Sequence, residues 1–479
     1  MQNGQMTQNI VFSAFPKKVL EQATAATKLR TSSQLARRHD LRSKTVLTFS
    51  ETADSNAECA ISLNKSSSGW QLTVHIADVA EYVCEGSPLD SEARYRNAAF
   101  RNGFVKSDML PEGITNEVCN LQSGKDRLCV SVLLDIDTKG NLNDVLVEET
   151  VVRVAEKCVY TELDQLGMAQ EASSIHVLRE KYRPYMAILT EMYELAAIFC
   201  DRRRKNGGLD CSVYRRTYNR DENGRVIGFS FETEPDSRAM VREIGYFAAE
   251  AIGSYLYSNK MPCIFIGQQG LGDEELDYLA KLLDADTVCA SKLGRTVELA
   301  ELAKGSKYYD FVCGALRERL PRAEFSTQPI YNLHCASDKV VSFVRPATRY
   351  TDLLTQRTLK TCIAASSDPK NLNINRYRQL IQAAAESANR AEEFVHGVTM
   401  RFRDIAAQEY IESSEDTIFY GFPFKREPDG RLLVNLLCGA NGYVPAELAS
   451  DSLEFGRLSA FEITDKGNEE VLCSLKPTE

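Results

Sequence analysis

The sequence contains no run of about 18 apolar residues, the length a helix needs to cross a bilayer, which excludes a helical membrane span. Its opening stretch, MQNGQMTQNIVFSAF, lacks a basic segment followed by an apolar core, so no secretory signal is expected. Cysteine is plentiful at 14, yet there is no CxxC pair and no Cys/His cluster at zinc spacing. Scattered single thiols suit a reducing compartment, and a cytoplasmic location is expected. Positive charge is in deficit: 57 Lys and Arg against 67 Asp and Glu leave a net charge of −10 and a pI near 5.3. That balance argues weakly against a passive nucleic-acid coat, and a locally basic lining still captures phosphates. Internal repeats and low-complexity tracts are also absent.

What is present is an ordinary globular composition, 43% hydrophobic and 26% charged over 479 residues, enough for two or three domains or one large one. Between 43 and about 160 the chain reads mainly as strands: VLTF (46–49), LTVHIAD (72–78), LCVSVLLDID (128–137) and VLVEETVVRVAEKCVY (145–160). Leu72, Val74 and Ile76 alternate with Gln71, Thr73 and His75, which predicts a half-buried strand. From Pro184 the pattern turns helical. Ile188, Leu189, Met192, Leu195, Ala196 and Phe199 share one face, and Gly207–Gly208 end that helix. Val241, Ile244, Ala248, Ala251, Ile252 and Tyr255 mark a second buried helix, and further helices fit 274–284, 352–364 and 377–408. Residues 431–475 revert to short strands separated by Gly, Asn and Asp turns. The class is α+β.

Three segments carry a family likeness in their order: ETADSNAECAISL (51–63), GWQLTVHIADVAEYVCEGSPLD (69–90) and MLPEGITNEVCNLQSGKDRLCVSVLLDID (109–137). Together they resemble the catalytic domain of the ribonuclease II / ribonuclease R (RNB) family of 3′→5′ exoribonucleases. The resemblance implies an RNB-type domain over 41–400, with a short helical arm at 1–40 where the family carries cold-shock-type barrels or a winged helix. It also implies a degenerate OB-like barrel at 401–479, on Gly442-Tyr443-Val444-Pro445 and the strand spacing.

The family hydrolyses RNA with Mg²⁺ held by aspartates in the pattern D-x5-D-x-D-D-A, suited to a hard cation that takes oxygen ligands. Asp40-Leu41-Arg42 matches the entry phrase and Ala60-Ile61-Ser62 the exit, but the four aspartate positions read Ser50, Asn56, Glu58 and Cys59. An improvised set of Glu51, Asp54 and Glu58, with Asn56 alongside, is the candidate metal site against the plain reading of a solvated polar loop. A second family phrase, F-T-S-P-I-R-R-Y-x-D-L-x-x-H-R, aligns with FVRPATRYTDLLTQR (343–357). The position of the arginine that meets the cleaved phosphate is Thr348, the histidine position is Gln356, and Arg345 stands at the serine. A hydroxyl cannot supply the bidentate charge stabilisation of a guanidinium. Ile266 and Gln268 likewise stand where the family has arginine and histidine.

RNA-holding groups are implied more fully than chemistry. Phe100 takes the place of a base-stacking tyrosine, with Tyr214 and Tyr218 as candidates for the opposing face. Arg345, Arg349, Arg357 and Lys360 recur at helical spacing as a phosphate-facing stripe, and Glu392 aligns with a family glutamate near the RNA 3′ end. Arg202 to Lys205 have the simpler explanation of cations at a helix C-terminus. The expected function is an RNB-type RNA-binding protein that no longer cuts, a pseudonuclease whose partner is single-stranded RNA or an RNA-containing complex. The alternatives are an active exoribonuclease with a rearranged site, which alone calls for Mg²⁺, and a protein-interaction module without RNA binding. No other cofactor and no membrane partner is expected.

Overall fold

The β-branched segments pair into one closed ring of strands. The computed structural model describes residues 14–28, 35–101, 106–167, 173–210, 214–367, 374–449, 455–466 and 471–475. The first 13 residues of the expected arm and the end of its amphipathic segment lie outside them. The chain forms two compact units. The first comprises Met1–Gly208, Pro235–Gln268 and Ala323–Glu392, and the second Leu209–Glu234, Gln269–Arg322 and Glu393–Glu479.

In the first unit, β1 (Val46–Ser50), β2 (Cys59–Ser66), β3 (Gly69–Ala77) and β4 (Asp126–Asp137) run antiparallel in sequence. The long β5 (Leu142–Val159) pairs antiparallel with β4 and then, from Val154, parallel with β1, which closes the ring. β2 was not expected as a separate strand, because its sequence, CAISLNKS, shows weak alternation.

Both faces of β3 are buried, Gln71 excepted, which corrects its half-buried reading. On one face Leu72, Val74 and Ile76 pack with Leu189, Met192, Phe199, Ile244, Phe247 and Ile252 of two helices, α2 (Met186–Lys205) and α3 (Asp236–Ser258). Phe199 and Phe247 stack with ring centroids 3.9 Å apart. The other face is polar where His75 lies, fully buried, between the Ser62 and Ser131 hydroxyls at 3.0 and 2.8 Å, with Ser131 joined to Thr150 at 2.6 Å. Burial lowers the His75 pKa to about 3, so the ring is neutral and the ladder is one of satisfied neutral hydrogen bonds. Period-two alternation reports polarity, and here polarity did not mean solvent.

α2 ends where Gly207 takes a positive φ of 83° and its N–H reaches the Arg204 carbonyl at 2.9 Å. Arg203 grips buried Glu243 through two 2.8 Å contacts, and Arg202 meets Glu250 at 3.0 Å. The arm helix α1 (Lys17–Thr27) belongs to the core of this unit, through Val19, Ala23 and Ala26 packed with Leu89 and Ile114. The remaining long helices are α4 (Tyr350–Ser367) and α5 (Ile374–Ser413), and α5 passes residue 400 without a break.

The second unit holds a hairpin, β6 (Tyr214–Arg220) with β7 (Val226–Thr233), and helices Asp273–Leu282, Lys292–Ala303 and Tyr309–Arg319. The hairpin and the last two helices have no counterpart in the expected pattern. The barrel strands are β8 (Ile418–Arg426), β9 (Leu432–Leu436), β10 (Asn441–Val444), β11 (Ser459–Lys466) and β12 (Val471–Leu475). They close in the order β8–β9–β10–β12–β11, with β10 and β12 parallel, an OB-like arrangement. Phe419, Leu432, Val434, Val444, Phe461 and Cys473 fill it. Among the described residues no helix is long and apolar enough to cross a membrane.

Candidate functional site

The loop from β1 to β2 carries the four positions matched to metal-binding aspartates, and each has its own partner or surroundings. Ser50 ends β1, and its hydroxyl donates to the Thr52 carbonyl at 2.8 Å. Asn56 belongs to a chain of amides: it donates to Asn116 Oδ1 at 2.6 Å and accepts from Asn120 Nδ2 at 2.9 Å. Asn120 Oδ1 in turn accepts from the Ala57 N–H at 3.1 Å. Cys59 opens β2, where burial, reinforced by the Glu58 charge, pushes its thiol up to about 12. It is a protonated thiol rather than a thiolate ligand.

Glu58 is half-buried, and both its oxygens are engaged. Oε2 accepts from the Ala347 N–H at 2.6 Å, and Oε1 accepts from Thr348 Oγ1 at 2.9 Å. Burial raises its pKa to about 7, against the pull of those two hydrogen bonds. The remaining loop groups diverge. Exposed Glu51 pairs with Arg238 in the first turn of α3, and Asp54 is exposed. Lys157 of β5 donates to the carbonyls of Ala53, at 2.7 Å, and Ser55, so an ammonium already satisfies the loop's oxygens. Among the described residues the three carboxylates that converge are others, Asp78, Glu81 and Glu149, with oxygens within 4.8 Å of one another.

That acidic trio is met by two cations of the chain. Arg38 reaches Asp78 at 2.6 Å and Glu81 at 3.0 Å, and Lys360 reaches Asp78 at 2.7, Glu81 at 3.0 and Glu149 at 2.7 Å. Burial works against the Lys360 ammonium, but Asp78 and Glu149 raise its pKa to about 12. The cluster is an internal ion network rather than an open cation cradle.

The phrase 343–357 is docked by its backbone. The Ala99 N–H donates to the Thr348 carbonyl and the Tyr350 N–H to the Asn97 carbonyl, each at 2.7 Å. Asp352, buried in the first turn of α4, accepts from the Arg345 N–H at 2.9 Å. Gln356 is buried and bonded at both ends, donating to the Ala77 carbonyl at 2.8 Å and accepting from the Ala80 N–H at 3.0 Å.

The four-cation stripe does not form one outward face. Arg349 donates to Ser342 Oγ at 3.0 Å, Arg357 pairs with buried Asp90 at 2.8 Å and donates to the Val83 carbonyl at 2.6 Å, and Lys360 sits in the ion network. The reason is that α4 is enclosed: Leu353, Leu354, Thr355, Thr358 and Leu359 are all buried, so helical spacing does not mark a solvent face here. Arg345 alone of the four is exposed, and its guanidinium has no hydrogen bond or ion pair among the described residues.

Phe100 is half-buried and bridges to Ser107 across residues 102–105, which lie outside the described residues. Glu392 is half-buried on α5. Ile266 packs against the core in a short strand, and Gln268 bridges to Asn332. In the second unit Tyr218 is tied to the Cys438 carbonyl at 2.8 Å, and the Tyr214 side chain lies outside the described residues. Sequence reasoning missed Lys157, Asn116, Asn120 and Arg238. Lys157 bonds to main-chain carbonyls, which leave no trace in a residue pattern.

Residues 38–365 match the RNB domain family. Ribonuclease R of Thermotoga maritima is 28% identical over 385 residues, which cover 79% of this chain and 53% of that protein. Ribonuclease R of Mycoplasmopsis pulmonis is 24% identical over 406 residues, 83% of this chain and 55% of its own. The chain thus spans about half the length of the curated relatives it matches. The structure of Mycoplasma genitalium RNase R in complex with ribose methylated single-stranded RNA is similar in fold, with a TM-score of 0.83 at 17% identity over 98% of this chain and 77% of that one. Yeast Ssd1, a pseudonuclease, gives a TM-score of 0.63 at 15% identity, covering 94% of this chain and 54% of that one.

Proposed function

Because this chain belongs to the RNB domain family, we propose that it is an exoribonuclease-derived protein that holds single-stranded RNA, or an RNA-bearing complex, without hydrolysing it. The observation that carries this reading is the direct hydrogen bond between Glu58 and Thr348. A carboxylate at a metal position and a hydroxyl at the phosphate-arginine position are bonded to each other. Mg²⁺ requires several hard oxygens at near-octahedral geometry. The matched set offers a serine turned to its own loop, an amide held by two others, a buried thiol and a carboxyl with both oxygens engaged. These residues do not fit the ion, and no hydrolytic step is derived through it. Similarity to an RNA-bound RNase R and to a pseudonuclease supports the RNA-holding half and the inactive half of the reading respectively.

The test is a labelled single-stranded oligoribonucleotide incubated with purified protein in Mg²⁺. No shortening above a blank is expected, together with binding that weakens steeply with salt as counterions are no longer released. Processive shortening that Glu58→Ala or Asp54→Ala abolishes overturns the inactive reading. One observation favours the interaction-module alternative: Arg357 and Lys360 are drawn into internal ion pairs. Absence of RNA binding at low salt would put that alternative first.

A further inference from the structure

The middle of α5 is packed differently from its ends. Ile381, Ala384, Ala385 and Ala388 are buried toward its start, and Ala407 and Ile411 toward its end. Between them, from 389 to 405, no residue is buried. Glu393, Phe394, Gly397, Met400 and Arg401 recur there at steps of three and four, which places them on one face of the helix. Phe394 is 55% exposed and belongs to no hydrophobic cluster among the described residues. Tyr410 of the same helix, by contrast, packs its ring against Phe229 and Phe419. Arg401 is exposed and has no hydrogen bond or ion pair among the described residues. The ion pair of Glu393 is a 4.0 Å approach to Arg322 between two exposed side chains, a contact of little weight.

Gly397 sits at the centre of this face. A methyl group there would meet nothing within 4 Å, so the fold of the chain itself does not require a glycine. Glycine also weakens a helix interior relative to alanine. What it gives is a bare strip of backbone that a second helix can approach closely.

The residues around Gly397 are complementary to their own reversed order. Glu393 lies four positions before it and Arg401 four after, and Phe394 lies three before and Met400 three after. A two-fold axis at Gly397 would bring the same face of another copy alongside, running antiparallel. Each Glu393 then stands level with an Arg401, and each Phe394 with a Met400, a ring and a thioether that attract. A parallel pairing would set glutamate beside glutamate and arginine beside arginine.

We propose that this face of α5 docks on the same face of a second copy of the chain, antiparallel and crossing at Gly397. The contact is small, well under the ~1,200 Å² of a standard stable interface, so the dimer is weak and forms with rising concentration. This inference does not depend on the RNA-holding reading.

The experiment is sedimentation equilibrium of the full chain from about 1 to about 200 μM, with and without single-stranded RNA; the expected dissociation constant is on the order of tens of micromolar. The mass should rise toward two chains in both cases. Glu393→Arg and Arg401→Glu, each at an exposed side chain, should each weaken self-association at least about tenfold by setting like charges together. An equimolar mixture of the two variants should associate again, because one face is then positive and the other negative. Gly397→Ala should raise the melting temperature of dilute protein while weakening the dimer. A single-chain mass at every concentration overturns the proposal. So does a dimer that neither charge reversal affects, since it would use another face. Association only in the presence of RNA, or loss of RNA binding by Arg401→Glu with the mass unchanged, gives the face to RNA and overturns the second copy.

Discussion

Glu58 Oε1 accepts a hydrogen bond from Thr348 Oγ1 at 2.9 Å, although 290 positions of sequence separate the two residues. The bond joins the end of the β1–β2 loop, just before β2, to the approach of α4, and it ties together the two stretches from which catalysis would have been expected. Its consequences for pH are definite. The folded-state pKa of Glu58 is raised to about 7 from an ordinary 4.5, chiefly by burial. The folded protein therefore holds this proton more tightly than the unfolded chain does. Stability from this group is fully present below the ordinary value and declines as pH rises through the raised one. Urea unfolding between about pH 4.5 and 7 should show that decline, and Glu58→Gln, which never ionises, should remove it relative to the parent protein. An unchanged slope in the variant would refute the assignment.

Arg345 and Arg357 share the helical spacing read from the sequence and should nonetheless behave oppositely. Arg345→Ala should leave the urea midpoint in place and reduce the salt slope of RNA binding by about one. Arg357→Ala strands the buried Asp90 carboxylate and should cost about 3 kcal/mol of stability, as loss of one partner in a buried pair does. A destabilised Arg345 variant with a neutral Arg357 variant would reverse the placement of the two.

Lys360→Ala removes one of the two cations from the Asp78, Glu81 and Glu149 network. It should lower stability by about 3 kcal/mol. The three carboxylates it uncovers should then recruit a divalent cation, so the melting temperature of the variant should rise with added Ca²⁺ or Mg²⁺. The parent protein should show little such rise, and thermal melts with and without the ion decide the matter.

Phe100→Ala should weaken single-stranded RNA binding by about 1–3 kcal/mol if the ring stacks on a base. Affinity unchanged within error would return Phe100 to the role of a packing side chain.

A five-fold reversion, Ser50→Asp, Asn56→Asp, Glu58→Asp, Cys59→Asp and Thr348→Arg, restores the family's ligand set at its spacing. Four carboxylates in one pocket repel, so folding should weaken until a cation binds, and Mg²⁺ should then raise the melting temperature. The unaltered protein should respond little. A large Mg²⁺ shift in the unaltered protein, lost with Glu58→Ala, would establish a metal site where the geometry places none.

Much of this protein is legible in its sequence. The strands from 46 to 160 and the buried faces of α2 and α3 follow from residue spacing, because apolar burial imposes periods of two and 3.6 on a sequence. The register of 343–357 was equally plain, fixed by Phe343, Pro346, Tyr350 and Asp352. What stayed hidden depends on polar groups meeting across the fold. His75 alternates like a solvent-facing residue yet is enclosed by Ser62 and Ser131, and Lys360 is spaced like a surface cation yet lies among three carboxylates. Local pattern reports polarity, while the partner that makes burial tolerable arrives from another strand or helix.

The two bonded ends of Gln356 bear on descent. An amide serves the Ala77 carbonyl with its nitrogen and the Ala80 N–H with its oxygen, from one planar group. A neutral imidazole also has one donor and one acceptor, but on ring atoms set at a different spacing and reach. A histidine placed at this position therefore gives up a fitted pair of contacts. On the proposed non-hydrolytic reading, a path toward hydrolysis that passes through this position starts with a loss of foldedness, so change at such a position acts as a ratchet that turns more easily one way than the other.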